Sequence, residues 1–231
     1  MQSKFDKPKG LVVFDLDSTL FDVSPRTLQI LHDFASTPKA QSFSSHACKK
    51  LKEVNSLPSV YHLKELTLHF NLGEVPPEFY HALFQYWREE FFSNKLLHLD
   101  RPEDGAIDFC HEVFAKGSNI IYLTGRDEER MGLGTRNVLK NFGFPLDAEK
   151  AHVELKPHRS LDDALFKRDF LIEMHALTDF VPGPVWFIEN EPANIVAVRE
   201  GLPHVNVIFF DSIHAGTHPV PADLPHIKNF L

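Results

Sequence analysis

The sequence predicts an α/β fold: a three-layer sandwich on a parallel, Rossmann-like sheet, with an all-helical segment inserted after the first strand. Three observations carry that expectation. Short apolar runs recur along the chain and end in polar residues or glycine, helical patterns separate them, and the stretch 23–99 contains no convincing strand. Near-continuous β-branched and aromatic runs mark strands covered on both faces, and strands alternating with helices build βαβ units.

The runs are Leu11-Val12-Val13-Phe14, Asn119 to Leu123, a weaker Ala151 to Leu155, Val185 to Ile188, and Val205 to Phe210. Between them, Ile107, Cys110 and Phe114 lie at helical spacing, with Gly117 placed to end that helix. Leu165, Phe170, Met174 and Leu177 suggest a second helix, with Asp163 as its N-cap. Ile195 to Val198 suggests a third, stopped by Gly201. In the insert, Ser24 and Pro25 form an N-cap and first-turn pair ahead of Leu28, Leu31 and Ala35. Val60 to Phe70 also reads as helical. Pro76-Pro77 opens a further helix whose stripe of Phe79, Leu83, Trp87 and Phe91 reads as core. The expected division is therefore a core domain from 1–22 and 100–231, with a helical domain at 23–99.

Composition limits the function classes. The chain has 231 residues, 43% of them hydrophobic and 24% charged, as in a soluble globular protein. Its formal net charge of −8, with no long Lys or Arg run, argues against nucleic acid and membrane as partners. A small phosphorylated substrate stays compatible, because a metal and a few basic groups reverse the field locally. Cys48 and Cys110 make no disulfide framework or zinc cluster and fit a reducing cytoplasm. The polar first ten residues, with Asp15 and Asp17 in the apolar run behind them, fit neither a signal peptide nor a spanning helix.

The chemistry concentrates at strand ends, where parallel sheets gather their ligands. The first run leads into Asp15-Leu16-Asp17-Ser18-Thr19. Paired aspartates are costly unless a cation or hydrogen bonds compensate, and a nucleophilic carboxylate beside a proton-transferring acid suits phosphate-ester hydrolysis. The plainer use of such a pair is an Asx-turn or a helix cap. The second run ends in Thr124-Gly125-Arg126, a hydroxyl, exposed backbone N–H groups and a charge able to hold a phosphate. The fourth ends in Glu189-Asn190-Glu191. Carboxylates from neighbouring strand ends make the hard oxygen site that magnesium prefers.

Taken together, these motifs resemble the haloacid dehalogenase-like (HAD) hydrolase superfamily, over about residues 9–24 and 100–211. Asp15 to Thr19 matches the family's first motif, Thr124 its second and Glu189 its last acidic one. The resemblance implies an aspartyl-phosphate formed on Asp15, with Asp17 as general acid and base. It implies magnesium held by Asp15, the main-chain carbonyl of Asp17 and Glu189, and a helical cap that selects substrate. The family's lysine falls on Lys167, which stands 22 residues before Glu189, rather than on Lys156, which stands 33 before it. Substrate would meet Thr124, Gly125, Arg126 and Lys167. Asp17 favours phosphoryl transfer over dehalogenation, since only the former has a leaving oxygen to protonate. Glu189 itself departs from the family's aspartate. That leaves Glu191 and Asn194 open as helpers, and His214 and His218 open as loop residues near the site. A phosphomutase, a phosphonate hydrolase or a non-catalytic phosphate-binding module are the competing readings.

Overall fold

The computed structural model describes residues 10–176 and 183–231. The chain forms two compact units, 1–21 with 102–231 and the intervening 22–101. Phe21–Asp22 (β2) and Arg101–Pro102 (β3) pair as a short ribbon where the chain passes between them.

The first unit is built on Leu11–Phe14 (β1), Asn119–Asp127 (β4), Ala151–Lys156 (β5), Val185–Glu189 (β6), Asn206–Phe210 (β7) and His226–Ile227 (β8). They form one six-stranded sheet in the order β5-β4-β1-β6-β7-β8, and every pairing is parallel. β1 lies between β4 and β6, so the strands that flank the helical segment in sequence are sheet neighbours. All four β1 residues are buried, because both faces are covered. Leu11 and Val13 join Ile121, Leu123, Phe187 and Phe209 on one face. Phe14 meets Phe109 at 6.1 Å and Phe230 at 6.3 Å on the other. Each such side chain contributes about 1.5–3 kcal/mol when fully buried. The continuous apolar run is the imprint of that double coverage.

The helices of this unit are Ala106–Ala115 (α6), Glu128–Phe142 (α7), Asp163–Ala176 (α8) and Pro192–Gly201 (α9). Gly117, at φ 86°, takes the left-handed conformation just past α6 that glycine adopts without strain. Three expectations change. α8 packs on the sheet through Phe166, Phe170, Leu171 and Met174, while Leu165 is exposed; Leu177 lies outside the described residues. Its first turn is capped by Asp162, which accepts the Leu165 N–H at 3.0 Å, and Asp163 instead pairs with Lys156. Gly201 is the last residue of α9, and it serves packing: a Cβ there would stand 2.8 Å from side-chain atoms of Arg168 and Ile172 on α8.

The second unit holds Ser24–Ser36 (α1), Pro38–Phe43 (α2), Ser45–Glu53 (α3), Leu63–Leu68 (α4), Pro77–Phe91 (α5) and a 3₁₀ turn at Leu97–Leu99. Among the described residues between Val23 and Asp100 there is no strand. Its core gathers Leu31, Phe34, Ala47, Leu51, Phe79 and Leu83, with the Phe34 and Phe79 rings 5.3 Å apart. The stripe expected along α5 splits: Trp87 leaves that core and stacks on Phe91 at 4.5 Å. The α1 start is also shifted. Asp22 accepts both the N–H and the hydroxyl of Ser24, at 2.8 and 3.0 Å, so the aspartate satisfies the helix end in place of the serine. No helix among the described residues is long and apolar enough to cross a membrane.

Candidate active site

Asp15 follows β1 directly, and its N–H continues the ladder by donating to Ile188 O at 3.0 Å. The chain then turns sharply. The carbonyl of Leu16 accepts the N–H groups of Thr19, Leu20 and Phe21, at 3.2, 3.0 and 2.9 Å. Ser18 sits at φ 62°, a left-handed conformation that costs a non-glycine residue of order 1 kcal/mol. The turn is held from outside by Ser212, whose hydroxyl donates to Ser18 O at 2.5 Å. This pinning sends Asp15 inward and leaves the Asp17 side chain 30% exposed.

Lys167, on the inward face of α8, reaches the strand ends. Its ammonium donates to Asp15 Oδ1 at 2.5 Å and to Glu189 Oε2 at 2.7 Å, and all three side chains are buried. Glu189 is also bonded by the N–H groups of Asn190 and Glu191 on Oε1, at 3.1 and 3.0 Å. Asn194 Nδ2 donates to Oε2 at 3.2 Å. Every lone-pair direction of this carboxylate is therefore engaged. Lys156 stays apart, donating to Leu161 O at 2.9 Å and to Asp163. Lys167 is the lysine of the cluster.

Charge is scarce here. Burial pushes the Asp15 carboxyl above its ordinary value despite the attraction of Lys167. Burial, reinforced by the charge of Asp15, raises Glu189 to about 7 against the same lysine. For Lys167, burial alone works to lower the value, yet the two carboxylates together raise it. One ammonium cannot neutralise two buried carboxylates.

At the neighbouring strand end, β4 shifts register against β5 between Thr124 and Asp127. Such an irregularity re-aims side chains. Arg126, 2% exposed, turns into the molecule and grips Asp17: Nε donates to Oδ2 at 3.0 Å and Nη2 to Oδ1 at 2.6 Å. Thr124 is buried, and its hydroxyl oxygen accepts the Arg126 N–H at 3.2 Å. Gly125 makes room for Asp163, whose carboxylate would collide with a Cβ at that position. Among the residues expected to meet phosphate, Arg126 is thus already paired with a carboxylate.

The sequence reading passed over Asn190. It is 5% exposed, accepts the Thr19 hydroxyl at 3.1 Å and donates to Ile213 O at 2.7 Å, tying the Asp15 turn to the loop after β7. Glu191 secures the same loop by accepting the Ala215 N–H at 2.8 Å. The available signal was position alone, a buried-type amide next to an acid at a strand end. His214 packs its ring 5.9 Å from Phe209, and exposed His218 meets its neighbour Thr217. The contacts of both histidines lie within and beside their own loop.

The donor chemistry fits magnesium in part. Among the described residues no group of three His, Cys, Asp or Glu side chains is arranged to hold a metal. Magnesium, however, takes one or two carboxylates and leaves its other positions to water, carbonyls and phosphate. With all three ionised, Asp15, Asp17 and Glu189 set three negative charges against the two of Lys167 and Arg126, an excess that a divalent cation would reverse. With four hydrogen bonds on its two oxygens, Glu189 is the most heavily engaged of the expected ligands.

Solved structures share this fold at low identity. A HAD-superfamily hydrolase of subfamily IA from Geobacter sulfurreducens is 14% identical, with a TM-score of 0.56 over 99% of this chain and 96% of that one. A predicted phosphoglycolate phosphatase from Haemophilus somnus is 12% identical, with a TM-score of 0.56 over 95% and 94%. Protein tyrosine kinase A of Mycobacterium tuberculosis is 15% identical, with a TM-score of 0.55 over 97% and 95%. No protein-family model and no curated protein matches the sequence. The chain has the HAD-like α/β fold. Since one fold hosts many activities, chemistry has to be argued from the site.

Proposed function

We propose that the protein is a magnesium-dependent phosphatase that hydrolyses a small phosphorylated metabolite through an aspartyl-phosphate on Asp15. The observation that supports this most is the shared lysine: Lys167 joins Asp15, at the end of β1, to Glu189, at the end of β6. A carboxylate presented at a strand end, steadied by an ammonium, is a nucleophile arranged for a phosphoryl group.

The chain's own groups then divide the work. An oxygen of Asp15 attacks phosphorus while the bond to the leaving oxygen breaks, and Asp17 supplies the proton that oxygen needs. In the second displacement water attacks phosphorus, gives its proton to Asp17, and releases Asp15 and inorganic phosphate. Lys167 offsets charge on the phosphoryl oxygens, and Thr124 with the Gly125 backbone completes their binding. Glu189 holds Lys167 in place. Magnesium, held by Asp15 and the Asp17 carbonyl with Glu189 adding its charge, would supply the positive field that the excess of carboxylates denies to an anionic substrate. The helical unit carries substrate selection in this reading, and the reaction belongs in the cytoplasm with no nucleic acid or membrane partner.

The test is turnover of p-nitrophenyl phosphate. Activity is expected only with added magnesium, and Asp15→Asn is expected to abolish it. Turnover persisting in purified Asp15→Asn protein would remove the mechanism.

A further inference from the structure

We propose that Arg126 is a positioning residue that fixes the carboxylate of Asp17 for proton transfer, and that it does not bind the substrate phosphate. The inference rests on the reading of Asp17 as general acid and base, and it goes beyond that reading by assigning what holds Asp17 in place.

Asp17 needs a holder. Its side chain is 30% exposed and follows a turn rather than a regular element, so its rotamer is set by contacts. A proton-transferring oxygen must stand within about 2.6–3.2 Å of its target, which a wandering carboxylate does not achieve. The Arg126 fork removes that freedom. Two near-parallel bonds, of 3.0 and 2.6 Å, fix both the position and the plane of the carboxylate. The guanidinium is itself held: it is buried, stands in the register shift of β4, and donates from Nη1 to Thr135 Oγ1 on α7 at 3.3 Å.

The pairing also occupies the guanidinium: three of its N–H groups are engaged, two by Asp17 and one by Thr135. Lys167, by contrast, is the cation directed at the nucleophile. Arg126 instead favours the carboxylate that remains once the first proton has left Asp17 for the leaving oxygen. That is the form that accepts the proton of water in the second displacement.

Substrates with different leaving groups separate the two roles. p-Nitrophenyl phosphate and phenyl phosphate carry the same phosphoryl group, but phenol needs protonation to leave far more than nitrophenol does. kcat/KM reports the steps through the first displacement. In Arg126→Lys, which keeps the charge and loses the fork, kcat/KM for phenyl phosphate is expected to fall at least about tenfold further than for p-nitrophenyl phosphate. Inhibition by inorganic phosphate should stay unchanged, and adding Arg126→Lys to Asp17→Asn should cost little more. Thr135→Val, which frees the guanidinium on one side, should show the same ordering more weakly, and it decides alone if circular dichroism shows Arg126→Lys unfolded. Equal losses on both substrates with weakened phosphate inhibition would make Arg126 a phosphate ligand and overturn the inference, as would an Arg126→Lys enzyme with unaltered kinetics. Those results leave the phosphatase reading standing so long as Asp15→Asn is inactive.

Discussion

Among the described residues each of the two units holds a fully buried cation, Arg26 in one and Lys167 in the other, and the company the two keep is different. In the helical unit Arg26 faces the carboxylate of Asp100, with Nε 3.0 Å from Oδ1 and both side chains fully buried. Its Nη1 donates to Phe91 O at 3.1 Å, and its guanidinium lies 3.9 Å over the Phe91 ring. In the sandwich unit Lys167 faces two carboxylates, Asp15 and Glu189. The first arrangement pairs a cation with a carboxylate and ties α1 to the end of α5. The second is short of positive charge, and a buried deficit of that kind persists only where something else completes it.

Breaking the matched pair should have the largest effect on stability. Arg26→Met leaves Asp100 buried without its cation and is expected to cost about 3–5 kcal/mol in urea unfolding of the full chain. Arg26→Met with Asp100→Leu should recover most of that loss, because replacing both partners by apolar groups of similar volume is close to neutral. A double variant as unstable as the single one would show that the pair does more than neutralise itself.

The unmatched cluster should behave in the opposite way. Lys167→Met is expected to lower turnover of p-nitrophenyl phosphate about 10²–10³-fold, the usual cost of losing one preorganised donor to a transferring group. Adding Glu189→Met removes the second carboxylate and can restore stability, but it should not restore turnover. Recovered turnover in that double variant would make Lys167 a structural cation like Arg26, and the contrast between the units would collapse.

The Lys167 side of this contrast was legible in the sequence, for a physical reason, whereas Arg26 and Asp100 stood out in no pattern. Asp15 and Glu189 each close an apolar strand run, and Lys167 sits at the start of a helix, so secondary structure alone brings the three to one edge of the sheet. Arg126 was legible as a site residue but not in its role, because its partner Asp17 lies 109 residues away and its aim is set by the β4 register shift. α7 escaped notice for a local reason. Met131-Gly132-Leu133-Gly134 interrupts the apolar stripe with two poor helix formers and leaves Leu133 exposed. Its ends were the better signal: Asp127 caps it by accepting the Arg130 N–H at 3.0 Å, and Gly143 closes it at φ 82°. Asn190 carried no pattern of its own, since a buried amide is recognised only by the two distant groups it joins.

Asp127 extends the comparison to a carboxylate whose charge is welcome. Burial alone would raise its carboxyl, but the bonds from the Arg130 guanidinium and N–H, with the charges of Arg130 and Lys156, outweigh burial and hold it below the ordinary aspartate value. Asp15 and Glu189 are shifted upward by the same burial because their cation is shared. A depressed folded-state value means stability that is fully present above the unfolded aspartate pKa of about 3.9 and lost as pH falls through the folded value. Asp127→Asn should therefore cost about 1 kcal/mol at pH 6, because asparagine keeps a capping oxygen but removes the charge from the bonds to the Arg130 guanidinium. The difference from wild type in urea midpoint should shrink as pH drops below about 4. A difference that stays constant across that range would mean that Asp127 acts through hydrogen bonding alone, leaving matched charge as the property of Arg26 and Asp100.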